Sequence, residues 1–393
     1  MFHQRSMRSL PNFLSSLSSS SRTLTPTKSA SKTLLSCKSS ASITSTSSLD
    51  KSSSSDHLRR THSTATIRHP PRDTDSPTES INDYRILRII GSGAFSTVML
   101  GLKLDTNEYV AIKRMDKSRL ITMRQINHVK SEKAVLKLLN HPFSVTYVTC
   151  FQDKQYLYLV MDFINGGELF YYLRKIGRFS LETSVFYAAQ VVLLLSNLHS
   201  CNIIYRDIKP ENLLLDAQGY LRVCDFGFAK ICEASSITHT ICGTPEYLSP
   251  EIIRHKGHSK ATDFWSLGVF IFEMLAGYAP FEGDTPFQVY ERIVSGVITF
   301  PSHFDAVTKD LIRRLLTPEP SRRLGNLRGG ITDIMNHRFF RSINWKMLLE
   351  KQYTPPIIPN VKGPDDCSKF DVYEEEPVAS TLTEEQQQLF ADF

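Results

Sequence analysis

From Tyr84 onward the chain alternates short apolar, β-branched and aromatic runs with turn residues. Tyr84–Ile90, Ser96–Leu102, Glu108–Lys113 and Tyr156–Met161 have this texture, with Gly91–Gly93 and Asp105–Asn107 between them. The pattern predicts strands. One helix is predicted to interrupt them, over Met123–Leu139, where Ile126, Val129, Leu136 and Leu139 recur at helical spacing. Glu132 falls on the same stripe, and an inward-facing carboxylate needs a partner. From about Gly166 the pattern turns helical, with Leu181–Ser200, Ala261–Gly277, Phe287–Ser295 and Ala306–Leu316 as the clearest segments. The fold class expected is α+β: a small antiparallel β lobe with one key helix over 84–161, then a larger helical lobe over 166–340. Arg341–Phe393, with Pro355, Pro356, Pro359, Pro364 and the acidic run Glu374–Glu376, reads as an extended tail.

Composition changes the picture mainly at the N-terminus. Residues 1–80 are rich in Ser and Thr, carry Pro11, Pro26, Pro70, Pro71 and Pro77, and have few large apolar side chains. Such a segment cannot bury enough surface to offset its ordering entropy, so a disordered regulatory tail is expected. A transit peptide is the alternative, because Arg5, Arg8 and Arg22 precede the first acidic residue, Asp50. Residue 2 is Phe, which excludes a myristoylation signal. Eleven of the 46 Lys/Arg and five of the 40 Asp/Glu lie in residues 1–80. The net charge of +6 therefore sits in that segment and the rest is neutral, which argues against nucleic acid as a partner. No apolar run reaches the roughly 20 residues of a membrane span; the best, Ala188–Leu198, is broken by Gln190, Ser196 and Asn197. No membrane association is expected. Seven scattered cysteines without a CxxC pair fit a reducing compartment. Cytoplasm, with nuclear entry allowed, is the expected location, and a mitochondrial one is the minor alternative.

Chemistry concentrates in four places. Gly91-Ser92-Gly93-Ala94-Phe95-Ser96-Thr97-Val98 joins two predicted strands. Glycines there let a turn present backbone N–H groups to phosphate, although an ordinary glycine hairpin has the same spelling. A strand, not a helix, follows, which disfavours a dinucleotide fold. Lys113 ends the apolar run Val110-Ala111-Ile112; its half-buried ammonium calls for an anion, and Glu132 is the natural one. Two unrelated snorkelling side chains are the alternative. In Tyr205-Arg206-Asp207-Ile208-Lys209-Pro210-Glu211-Asn212, Asp207 can accept a hydroxyl proton, Lys209 can neutralise phosphate and Asn212 can bind a hard cation. Asp225-Phe226-Gly227 ends the predicted strand Tyr220–Cys224, and a carboxylate there can hold magnesium against nucleotide phosphates.

In order and context, the glycine loop, Lys113, Glu132, Asp207, Asn212, Asp225-Phe226-Gly227 and Ser249-Pro250-Glu251 resemble the signature set of eukaryotic protein kinases. Gly177–Ser180, Phe186–Gln190, Asp225–Lys230, Cys242–Leu248, Phe300–Phe304 and Phe370–Glu376 narrow the resemblance to the catalytic subunits of cAMP-dependent kinases, in the AGC group, over roughly Tyr84–Phe393. ATP and Mg2+ are then the implied cofactors. The resemblance implies Gly91–Ser96 over the phosphates, Lys113 on the α- and β-phosphates held by Glu132, and Asn212 and Asp225 as magnesium ligands. It implies Asp207 as the acceptor of the substrate proton and Lys209 at the γ-phosphoryl. Ile90, Val98, Ala111, Leu214 and Cys224 would line the adenine slot with Met161 at its back, and the backbone of Asp162–Ile164 would bond the base. Glu168, Glu211 and Glu273 match the carboxylates that read arginines two and three positions before the target, with Ile241 and Leu248 as the apolar pocket after it. Glu168 also counts as a nucleotide contact. Protein substrates with basic motifs, a cAMP-binding regulatory subunit and an upstream activating kinase are the implied partners.

The resemblance also implies a phosphothreonine at Thr240, facing Arg206, Lys230 and His128, and Thr381 is a second candidate phosphosite. Ile237 stands where the family has a basic residue, so an upstream kinase rather than the chain itself is expected to modify Thr240. The C-terminal Phe390-Ala391-Asp392-Phe393 resembles the aromatic motif that AGC kinases tuck into their small lobe. Ser96 replaces the loop's third glycine. His239 replaces a tryptophan used in docking the regulatory subunit, which puts tight binding of that subunit in question. Tyr147 replaces a smaller aliphatic residue in the stack through Leu136, Phe226 and Tyr205. Glu251 with Arg323, and Asp263, are expected to be scaffold, and Cys224 and Cys242 inert thiols. Two other readings stand beside this one: an AGC kinase with a different regulator, and a scaffold without catalysis, against which the presence of Lys113, Asp207, Asn212 and Asp225 counts.

Overall fold

Strand alternation gives the first five strands two different faces. In the computed structural model these are β1 (Tyr84–Ser92), β2 (Ser96–Lys103), β3 (Tyr109–Asp116), β4 (Tyr147–Gln152) and β5 (Tyr156–Asp162). They form one antiparallel sheet in the order β1-β2-β3-β5-β4. Met99, Val110, Ile112, Tyr158 and Val160 close a small cluster with Tyr84 and Phe151 on one face. On the other, Val98 lies opposite Lys113, Lys113 opposite Leu159, and Ala111 opposite Met161. Residues two apart share a face, so Lys113 stands among apolar neighbours there. The structure describes residues 79–232, 238, 244–373 and 381–393. The expectations for residues 1–78, Ile237, His239, Thr240, Ile241, Cys242 and Glu374–Glu376 lie outside them. The four expected strands form within three residues of their predicted ends. The edge strand β4 is an addition.

A short helix that was not expected, α1 (Lys117–Thr122), precedes α2 (Ile126–Leu138), which is the helix expected over Met123–Leu139 with its start three residues later. Asp116 starts α1 by accepting from the N–H groups of Ser118 and Arg119. Arg124 has φ of 56°, a left-handed conformation that ends the first helix before the second begins. The apolar stripe of α2 behaves as expected, with Val129, Val135 and Leu136 buried and Glu132 buried among them.

The larger lobe begins with α3 (Leu169–Ile176), not singled out from the sequence, and α4 (Leu181–Ser200), which is. Ser180 caps α4 through the Thr183 N–H. By length and a mean hydropathy of 1.3, α4 is long and apolar enough to cross a membrane, although no single run within it is. Here it is the core helix, 67% buried, and that burial accounts for its composition. Short ribbons follow: β6 (Ile203–Ile204), β7 (Leu213–Leu215), β8 (Leu221–Val223) and β9 (Lys230–Ile231), with β6 paired to β9 and β7 to β8. Then come α5 (Pro250–Ile253), α6 (Ala261–Ala276), α7 (Pro286–Ser295), α8 (Ala306–Leu315) and α9 (Ile331–Met335). Gly277 ends α6 at φ 85°, where a Cβ would strike the Gly177 carbonyl.

The tail is less extended than the prolines suggest. It contains α10 (Trp345–Leu349) and α11 (Glu384–Gln388). It also packs along the body: the Tyr220 hydroxyl donates to the Tyr353 carbonyl, and Lys351 pairs with Asp216 at 2.9 Å. The C-terminal aromatic motif is docked, with Phe390 1% exposed.

Candidate active site

The sheet's inner face delivers Lys113, and α2 delivers Glu132 to meet it. Lys113 Nζ lies 2.6 Å from Glu132 Oε1 and 3.5 Å from Asp225 Oδ1. Burial disfavours the ammonium, but Asp225 and Glu132 outweigh it and hold the Lys113 pKa above its ordinary value. Burial likewise works against the Asp225 carboxylate. Lys113, the Gly227 N–H and Lys209 overcome it, so Asp225 ionises more readily than a free aspartate. The two ion-pair partners that the sequence sets nineteen and 112 residues from Lys113 thus converge on one nitrogen.

The loop after β6 carries the second group. Asp207 is 3% exposed. Its Oδ2 receives Lys209 Nζ at 2.9 Å and Asn212 Nδ2 at 2.6 Å. Burial raises the Asp207 pKa, with Lys209 opposing; Lys209 is itself raised, since Asp207 outweighs the cost of burying it. Lys209 also donates to Thr244 Oγ1 at 3.2 Å. This loop is fixed from beneath. The fully buried Asp263 accepts from the N–H groups of Tyr205 at 3.0 Å and Arg206 at 2.7 Å, and from His199 at 2.7 Å. The scaffold pair is present as expected, Arg323 reaching both Glu251 oxygens at 2.7 and 2.8 Å. Leu136, Tyr147, Tyr205 and Phe226 are all buried in one core, where Tyr147 is accommodated.

Hard oxygen donors suit a divalent cation. Asn212 spends its amide N–H groups on the Asp207 carbonyl and carboxylate, leaving its amide oxygen as the available atom. Asp225 offers a carboxylate that is 42% exposed. These two residues fit the group, although no three His, Cys, Asp or Glu converge among the described residues.

Around them, Gly93–Phe95 turns tightly between β1 and β2, the Gly93 N–H reaching the Ser96 carbonyl at 2.7 Å. Ile90 and Met161 are buried and Val98, Ala111, Leu214 and Cys224 half-buried. Burial pushes the Cys224 thiol up, as an inert thiol should be. The Asp162 N–H is committed to the Thr146 carbonyl at 3.1 Å, so of the expected base-binding backbone it is not a free donor. Glu211 lies close enough to act on Glu273: the Glu273 pKa is pushed up to about 7, by burial first and then by Glu211, Glu246 and Glu282, with the Tyr247 hydroxyl bond opposing. Glu168 stands at the N-cap position of α3 and bridges through its backbone to Leu214. Leu248 is buried. His128 is held below its usual pKa by burial, Arg206 and Lys230, which places those three bases together as expected. Thr381 is exposed.

Two residues near the site were given no role in the sequence reading. Phe370 of the tail, singled out only as part of the Phe370–Glu376 resemblance, packs on Phe163 at 5.9 Å between ring centres. Arg222 ties the segment between the lobes to β8; its signal was a lone charge inside an apolar strand.

Comparison with known proteins agrees with this geometry. The family described as "Protein kinase domain" matches residues 84–340. Over 320 residues the chain is 47% identical to the cAMP-dependent protein kinase catalytic subunit of Dictyostelium discoideum, covering 80% of this chain and 49% of that protein. It therefore spans about half that relative's length. It is 42% identical over 321 residues to the human cAMP-dependent protein kinase catalytic subunit PRKX, covering 81% of this chain and 89% of that one. It is also 43% identical over 308 residues to the serine/threonine-protein kinase YPK2/YKR2 of Saccharomyces cerevisiae, covering 78% and 45% respectively. A protein kinase domain works on ATP with a divalent metal ion. The chain belongs to the protein kinase family, and within it to the serine/threonine kinases of the cAMP-dependent catalytic-subunit type.

Proposed function

We propose that this kinase transfers the γ-phosphoryl group of Mg2+-ATP to serine or threonine hydroxyls that follow two arginines and precede a hydrophobic residue. The observation that carries this is the Asp207 carboxylate, held by Lys209 and Asn212 beside the Lys113–Glu132–Asp225 group. The substrate oxygen attacks the γ-phosphorus, the bond to the ADP oxygen breaks, and Asp207 accepts the hydroxyl proton. Lys113 neutralises the α- and β-phosphates, and Glu132 keeps its ammonium in place. Lys209 offsets charge on the moving phosphoryl group. Asp225 and Asn212 would hold magnesium, which supplies further positive charge at the phosphates. Phosphoryl transfer asks little covalent chemistry of a protein, so this placement of charge is the catalysis.

Arginine selection follows from the carboxylates. Glu211 acts on Glu273, and Glu168 stands at the N-cap position of α3; carboxylates of this kind favour guanidinium forks. A charge-assisted hydrogen bond contributes about 1.5–3 kcal/mol, so losing one arginine should cost roughly 10- to 100-fold in kcat/KM. The test is turnover of Leu-Arg-Arg-Ala-Ser-Leu against peptides lacking either arginine. Equal turnover of all three would remove the specificity and leave the kinase.

A separate cAMP-binding inhibitory subunit is the regulator we propose, on the strength of the relatives' cAMP-dependent names. Inhibition by such a subunit and release by cAMP is the expected result. The likeness to YPK2/YKR2 favours one alternative, an AGC kinase under other control. Activity that the subunit leaves untouched would select it. Thr240 is proposed as the site of an upstream activating kinase.

A further inference from the structure

Arg222 is the only charged residue in the β7–β8 ribbon, and it does not point away into water. It lies opposite Leu214 in register and two residues before Cys224. Alternation sets these three side chains on one face, the face assigned above to the adenine slot. Its guanidinium then reaches across to the small lobe. Nε donates to the Ser144 carbonyl at 2.7 Å, and Nη2 donates to Thr146 Oγ1 at 3.1 Å and to the Asp162 carboxylate. The other Asp162 oxygen accepts from the Thr146 N–H at 2.6 Å. One side chain thus joins the start of β4, the end of β5 and the middle of β8.

We propose that Arg222 is a positioning residue for the nucleotide. It fixes Asp162, where the segment that bonds the base begins, against the ribbon that carries Leu214 and Cys224, and so sets the width of the slot. The proposal rests on the use of ATP given under Proposed function and on the adenine slot that the family resemblance implies. Two features make it more than a surface pair. The arginine is 15% exposed, so its field is poorly screened, and it addresses three acceptors with a planar fork that lysine cannot copy. The ribbon is also joined to the segment before β4 by backbone bonds, Val145 N–H to Val223 carbonyl and Val223 N–H to Phe143 carbonyl, both 2.9 Å. These bonds survive loss of the side chain. Removing Arg222 therefore leaves the lobes joined while releasing Asp162 from the ribbon, its bonds to Thr146 remaining. Lys113, Asp207 and Asn212 make none of these contacts, so nucleotide affinity should change without the chemical step.

The test uses the full chain with Arg222→Met, Arg222→Lys, Asp162→Asn and the Arg222→Met/Asp162→Asn double variant. Arg314→Gln, which breaks the exposed pair with Asp310, is the control. ATP Kd by calorimetry, KM for ATP and for peptide, kcat and Tm are measured for each. We expect Arg222→Met to raise ATP Kd and KM about tenfold, with peptide KM and kcat within about twofold and Tm near that of the control. Asp162→Asn should act in the same direction, the double variant should be no worse than the worse single one, and Arg222→Lys should recover only part of the affinity. Unchanged ATP Kd in folded Arg222→Met, a parallel rise of both KM values, or additive losses in the double variant would overturn the clamp. Should Arg222→Met not fold, Asp162→Asn and Arg222→Lys decide by the same criteria. A wild type that binds no ATP overturns the slot itself and the clamp with it; a wild type that binds, matched by Arg222→Met, overturns the clamp alone.

Discussion

Glu132 is 2% exposed on a helix face otherwise made of Val129, Val135 and Leu136, where a lone carboxylate would be costly. Lys113 is what makes it tolerable, and the reverse holds as well. Neither residue is explicable alone, which is why this pair could be inferred from the sequence: each is a charge on an apolar face, and one partner answers both. Glu273 is a different case. Its pKa of about 7, raised first by burial and then by neighbouring carboxylates, makes it neutral below that pH and anionic above it. If it reads an arginine, the KM for an Arg-Arg peptide should fall as pH rises through about 7. Glu273→Gln should flatten that profile and leave the KM for ATP alone. A wild-type peptide KM that does not change between about pH 6 and 8 would remove Glu273 from recognition.

At the scale of elements, local signals located most of the fold. The strands β1, β2, β3 and β5 and the helices α4, α6, α7 and α8 carry their own periodicity, caps or flanking turns. Elsewhere the expectation fell short. The short α1 was not expected, and it is set off from the expected helix by a left-handed Arg124, a conformation that an arginine's neighbours impose and its identity does not announce. β4 pairs with β5 along the sheet edge, and its run Tyr147-Val148-Thr149-Cys150-Phe151 is as strand-like as the four that were singled out. Arg222 reaches partners 60 to 78 residues away, a distance at which spacing along the chain carries no information. The C-terminal motif shows the same limit from the other side. Its aromatics were visible, but their seat was not: Lys117 and Lys133 lie over the rings of Phe390 and Phe393, and Lys130 pairs with Asp392 at 2.5 Å. These lysines belong to α1 and α2, the latter being the helix that carries Glu132. Phe390→Ala should therefore destabilise the fold by roughly 3–5 kcal/mol, seen as a drop in Tm of several degrees, and should lower kcat by loosening the Lys113–Glu132 contact. An unchanged Tm would mean that the motif is not seated there in solution.

For the molecule as a whole, the proposed mechanism requires charges from both lobes to stand together where the phosphoryl group moves. The small lobe contributes Lys113 and Glu132, the large lobe Asp207, Lys209, Asn212 and Asp225, and the two sets meet within hydrogen-bonding distance. A scaffold that only binds partners would not need Asp207 buried beside Lys209 and Asn212. The most direct test is the rate of phosphoryl transfer to Leu-Arg-Arg-Ala-Ser-Leu by the wild type and by Asp207→Asn, with ATP Kd and Tm measured alongside. The account predicts turnover by the wild type, a loss of about 10²- to 10⁴-fold in kcat for Asp207→Asn, and ATP affinity and Tm close to wild type. A wild type that binds ATP yet transfers nothing, or an Asp207→Asn variant as active as the wild type, would contradict it.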